Sequence, residues 1–103
     1  MNERPSKSNP AAAPGAITRE FTVLNRFGIH ARPAALFVKM ASRFQCEVTI
    51  ERDGMVASGK SIMGLLTLEG YQGAVIKVTA VGADAEEALD AIGELMAKKF
   101  FED

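Results

Sequence analysis

The chain has 103 residues, a formal net charge of −1, 48% hydrophobic and 24% charged residues. That bounds it to one small globular domain with a modest core and excludes a fibre or a wholly disordered chain. The lysines and arginines are scattered, with no run beyond Lys98-Lys99, which argues against nucleic acid or an anionic membrane surface as partner.

Residues 1–16 are rich in Pro, Ser, Asn, Ala and Gly and carry no aromatic or β-branched residue. They read as a flexible tail, because they cannot bury enough apolar surface to offset their ordering entropy. They lack the apolar run of about 7–15 residues that a secretory signal needs. No stretch approaches the ~20 apolar residues of a membrane span. A soluble cytoplasmic protein is expected, with one domain over residues 17–103. The single cysteine, Cys46, cannot form an internal disulfide, and with one histidine in the chain a zinc site lacks ligands. It reads as a small buried hydrophobe in a reducing compartment.

Ile17 to Leu24 alternates as a strand, with Phe21 and Val23 on one face and Glu20 and Thr22 on the other. Gly28 ends a turn, and from Ala31 to about Phe44 the period becomes helical, with Ala34, Phe37, Val38 and Ala41 as its apolar stripe. Cys46 to Glu51 alternates again, and Asp53-Gly54 signals a hairpin to a return strand at Met55 to Ala57. Ser61 to Leu68 suits a short helix starting at Ser61. After Gly70 and Gly73, Ala74 to Val81 is a strand. The last helix begins at Asp84, with Glu87 completing a capping-box-like pair. Its apolar stripe is Ala85, Ala88, Leu89, Ile92, Leu95 and Met96. Acidic residues near its start and Lys98-Lys99 near its end suit the helix dipole. Gly93 within it suggests close packing on the sheet. The predicted class is α+β, an antiparallel four-stranded sheet with helices on one face. The other face should be solvated, through Glu20, Thr22, Glu47, Thr49, Lys77 and Thr79.

Two segments carry chemistry. In Gly28-Ile29-His30-Ala31-Arg32-Pro33, the histidine stands where a turn becomes a helix. The first helical amides have no partner inside the helix and, with its dipole, favour an anion. A phosphoryl group on His30 would meet the backbone amides of Ala31 and Arg32, and the Arg32 guanidinium adds a cation for its oxygens. Imidazole is nucleophilic near neutral pH, and a phosphate on its nitrogen remains transferable. Pro33 lacks an N–H where none is needed, but it biases Arg32 away from helical angles, which would leave Arg32 at the helix boundary. A loop or capping histidine without chemistry is the competing reading. In Lys60-Ser61-Ile62-Met63-Gly64-Leu65-Leu66, Ser61 suits an N-cap. So apolar a short surface helix must bury or dock its face.

Together these segments, their spacing and the element order resemble the HPr family, the histidine phosphocarriers of the bacterial phosphoenolpyruvate-dependent phosphotransferase system. The resemblance spans about Ile17 to Phe101. It implies an open-faced β-sandwich with three helices on one face. It implies that His30 is phosphorylated through its δ nitrogen and that Arg32 assists transfer. It implies that Ser61 is a regulatory serine, a target in some bacteria of an ATP-dependent kinase (HPr kinase/phosphorylase). Ile62, Met63 and Leu66 match a patch that docks partners. Enzyme I would be the donor and an EIIA-type domain the acceptor; no metal or organic cofactor is implied, and a monomer is expected. Ile29 stands where the family often has leucine, and the N-terminal tail is longer than usual. Two other functions remain in view. One is an enzyme with His30 as general acid or base, which would need a pocket and a positioned carboxylate; Glu20 and Glu47, the acids nearest in sequence, belong to the solvated sheet face. The other is a regulatory module, in a nitrogen branch or in catabolite repression, acting through the Ser61 patch.

Overall fold

The structure, a computed structural model, describes residues 14–102. Most of the expected tail, residues 1–13, and Asp103 lie outside the described residues. The elements are β1 (Ala16–Thr22), α1 (Ala31–Ala41), β2 (Glu47–Arg52), β3 (Met55–Ser58), α2 (Ile62–Thr67), β4 (Val75–Val81) and α3 (Ala85–Ala97), followed by a short turn over Lys99–Phe101. Each predicted element is present, with ends shifted by up to three residues in either direction; β1 begins at Ala16, one residue inside the expected tail.

The four strands form one antiparallel sheet in the order β1-β4-β2-β3. Period-two patterning turns Val48, Ile50, Ile76, Val78 and Ala80 towards the helices, where all are buried with Phe37, Leu65, Leu89 and Ile92. Asp53 and Gly54 both have positive φ, 51° and 83°, as a tight hairpin between β2 and β3 requires. Gly93 lets α3 lie close on the sheet, because a β-carbon there would sit 3.1 Å from the ring of Phe21.

Three expectations need correction. Thr79 lies on the outer face of the sheet, as its alternation predicts, but it is not solvated. It is 6% exposed, covered by neighbouring strands, and its hydroxyl is 2.8 Å from that of Thr18. Asp84 precedes α3 but its side chain does not cap it. Its two oxygens instead accept the backbone amides of Gln45 (2.8 Å) and Cys46 (2.9 Å), because the loop entering β2 brings two unpaired donors to it. Those donors, Gln45 first, hold the Asp84 carboxyl below its ordinary range. Arg32 is not at a helix boundary. Helix α1 starts at Ala31, since the pre-proline bias is a preference and Pro33 costs no donor in a first turn.

The chain end holds a feature with no warning in composition. Lys99, Phe100 and Phe101 all adopt left-handed angles, φ 54°, 54° and 60°. For residues with a β-carbon this costs about 1–2 kcal/mol each. Phe100 is wholly buried, which offsets part of that cost by about 2–3 kcal/mol. The turn folds the chain end back over the start of α1.

Candidate functional site

His30 is the N-cap residue of α1, with extended backbone angles and no side-chain bond to the helix amides. Its imidazole is therefore not consumed in capping and is 42% exposed. Ala31 and Arg32, the first two helical residues, are exposed, and by helix geometry their amides lack intrahelical partners.

The turn before His30 is shaped from two sides. Asn25, fully buried, donates from Nδ2 to the Gly28 carbonyl at 2.6 Å; its buried Oδ1 has no partner among the described residues. Gly28 has φ 68°, and a β-carbon there would collide with the carbonyl oxygen of Gly70 and the Cα of Tyr71. The Ile29 amide donates to that same Gly70 carbonyl at 2.7 Å. Only glycine fits at position 28, on both conformational and steric grounds.

The left-handed turn delivers Glu102 to this place. Its Oε1 is 2.9 Å from His30 Nε2 and 2.9 Å from Asn25 Nδ2. Its Oε2 accepts from an Arg32 guanidinium nitrogen at 3.3 Å. The Glu102 side chain is 18% exposed. The hydrogen bond from His30 first, then that from Asn25, holds its carboxyl below the ordinary range. An ionised carboxylate only accepts hydrogen bonds. In the neutral imidazole the proton must then sit on Nε2, which leaves the lone pair on Nδ1. The arrangement leaves the Nδ1 lone pair open at a helix N-terminus, while the Arg32 guanidinium is held on the same carboxylate that engages Nε2.

Sequence reasoning missed Glu102 and Asn25. The carboxylate lies at the far end of the chain from the histidine it contacts. The available signal was Phe100-Phe101 just after α3: two aromatics beyond a helix end must pack somewhere, and Phe100 packs into the core. The carboxylate that an acid–base enzyme would need is thus present. The cavity beside His30, however, is an open groove of about 430 Å³, lined by Phe27, Leu66, Glu69, Gly70 and Tyr71 among others. The ring of Phe27 stands edge-on to the imidazole, 6.3 Å between centroids.

Ser61 is the N-cap of α2, and its hydroxyl oxygen accepts the Gly64 amide at 3.0 Å. Leu65 is buried, while Ile62 and Met63 are exposed, Met63 by 71%. Leu66 is half-buried and shares the groove with His30. Of the three predicted docking residues, Leu66 lines the groove beside His30, while Ile62 and Met63 are exposed on α2 outside that lining.

Residues 17–98 match the family model for PTS-HPr, the HPr component phosphorylation site. The chain belongs to the HPr family. The phosphocarrier protein HPr of Xylella fastidiosa is 40% identical over 87 residues, covering 84% of this chain and 98% of that protein. The crystal structure of HPr-C-His from Thermoanaerobacter tengcongensis superposes with a TM-score of 0.81 at 42% identity, covering 84% of this chain and 98% of that one. Crh, the catabolite repression protein of Bacillus subtilis, superposes with a TM-score of 0.65 at 37% identity, covering 81% and 95%. The four-stranded antiparallel sheet with three helices is the HPr fold. No helix among the described residues is long and apolar enough to cross a membrane.

Proposed function

We propose that this HPr-family chain carries a phosphoryl group on Nδ1 of His30 in the cytoplasm. It takes the group from phosphorylated enzyme I and passes it to an EIIA-type domain. The Nδ1 lone pair attacks phosphorus; the N–P bond forms as the donor's bond to phosphorus breaks, and the next transfer reverses the roles. The chain is product of the first transfer and substrate of the second, one phosphoryl group per chain in each cycle, so it is a stoichiometric carrier and not an enzyme. One observation carries this reading: Glu102 occupies Nε2 of His30 and holds Arg32 with its other oxygen, which leaves Nδ1 open at the start of α1. The incoming phosphoryl oxygens are received by Arg32 and the amides of Ala31 and Arg32. The helix terminus contributes only about 0.3–2 kcal/mol, which suits a group that must leave again.

Ile62, Met63 and Leu66 form the docking patch, and Ser61 is its regulatory phosphosite where a cognate HPr kinase/phosphorylase exists. A phosphate there adds about −1.5 to −2 charges at a helix start, which tolerates them, inside an apolar surface, which does not. The experiment is incubation with phosphoenolpyruvate, magnesium and enzyme I. An acid-labile, alkali-stable phosphate that is lost in His30→Ala supports carriage. Absence of label on folded wild type overturns it. That outcome favours a second reading, a regulatory module binding through exposed Ile62 and Met63 next to Ser61.

A further inference from the structure

Arg52 ends β2 away from His30 in sequence, yet its side chain is only 12% exposed. A charged group that covered must be paired. Its Nε donates to the carbonyl of Leu68, a second nitrogen contacts Asp53 Oδ2 at 2.8 Å, and its guanidinium lies 5.4 Å from the centroid of the Tyr71 ring. Leu68 and Tyr71 bracket Gly70, the residue whose carbonyl receives the Ile29 amide and abuts Gly28. Between the two grips, Glu69 adopts φ 52°, a left-handed angle unfavourable for a side chain of its kind. The loop from Leu68 to Tyr71 is thus held in shape from outside. It is in turn the template on which the backbone just before His30 is seated.

We propose that Arg52 is a positioning residue for phosphoryl acceptance, acting on His30 through the Leu68–Tyr71 loop. This rests on His30 as the acceptor. Because Leu68 is also the C-cap of α2, the same guanidinium ties the end of the Ser61 helix to the histidine turn. Loss of the grip frees the Gly70 carbonyl, loosens the Ile29 amide and spreads the orientations of the imidazole. Misplacement of this kind slows chemistry more than it weakens encounter.

The test compares wild type, Arg52→Met and Arg52→Lys, all confirmed as folded. Phosphoryl acceptance from phosphorylated enzyme I is read as separate kcat and KM, and Ile29 amide exchange is read by NMR on the unphosphorylated proteins. In Arg52→Met, kcat should fall roughly tenfold at unchanged KM, with faster Ile29 exchange. Arg52→Lys, which keeps a donor and a cation, should recover most of the loss and remain about threefold slow. Wild-type kcat and Ile29 exchange in Arg52→Met, even with a lower Tm, would reduce Arg52 to a structural role and overturn the proposal. So would a raised KM at constant kcat, which marks a docking residue. If Arg52→Met does not fold, Arg52→Lys decides, and wild-type values for both readouts overturn the proposal. Failure of the acceptor reading is separate: wild type would take no label, while the exchange arm would still report whether Arg52 orders the loop.

Discussion

The carboxylate of Glu102 and the Nε2 of His30, 72 residues apart in the chain, meet at 2.9 Å. This contact selects which imidazole nitrogen is free. In Glu102→Ala the Nε2-protonated tautomer should lose its preference. Ring nitrogen shifts in NMR would then move towards a mixture, and phosphoryl acceptance should slow by roughly three- to tenfold, the scale of one charge-assisted hydrogen bond at a partly exposed site. Acid should remove what the contact adds to stability. Because the folded carboxyl is held below its ordinary value of 4.5, its contribution is complete above that value. It is lost as pH falls through the depressed folded value. Wild-type ring shifts in Glu102→Ala would refute the account.

Gly28→Ala should be costly out of proportion to one methyl group. The left-handed φ alone costs about 1–3 kcal/mol, and the methyl meets the Gly70 carbonyl. Urea unfolding should show the loss. The Ile29 amide, freed from Gly70, should exchange faster than in wild type.

Asp84→Asn should lower Tm at neutral pH, since an amide oxygen can replace only one of two carboxylate acceptors and its NH₂ faces a donor. The folded carboxyl of Asp84 lies below its ordinary 3.8. Its stabilisation is therefore present above that value and fades as pH falls through the folded one. Melting curves of wild type and variant should converge in strong acid; a constant gap would contradict the assignment.

Ser61 offers a crossed pair of outcomes. Ser61→Ala removes the N-cap, so it should cost about 0.5–2 kcal/mol of stability with phosphoryl transfer nearly intact. Ser61→Asp can still cap α2, so it should keep stability but slow transfer from enzyme I. Equal transfer rates for Ser61→Asp and wild type would detach Ser61 from docking.

Much of this molecule is legible in its sequence because much of it is periodic. The stripe of Ala34, Phe37 and Ala41 on α1, the alternation of Val48 and Ile50 on β2, the Asp53-Gly54 hairpin and the Ser61 cap each follow from local rules, and each is where those rules put it. Burial of Cys46 follows equally, and that burial raises its thiol pKa, with Asp84 adding to the effect. What local rules miss is what tertiary contact decides. Asp84 has the spacing of a cap, yet the loop before β2 offers it two better-placed donors. Thr79 alternates as a solvated residue, yet it sits on a central strand flanked on both sides. Glu102 has no pattern at all. It reaches His30 only because three residues without glycine accept left-handed angles, which propensity argues against and the burial of Phe100 imposes.

Strand β4 lies between β1 and β2, although it is the last strand made. The sheet therefore cannot grow outward from its first hairpin. β1 has no neighbour until a segment from the second half of the chain slides in beside it, closing two long loops at once. Such an order makes the sheet form late and nearly all at once, with loop closure preceding its reward. Fragments ending before β4 should hold the β2–β3 hairpin at most, and a second polypeptide carrying β4 and α3 should be able to complete them.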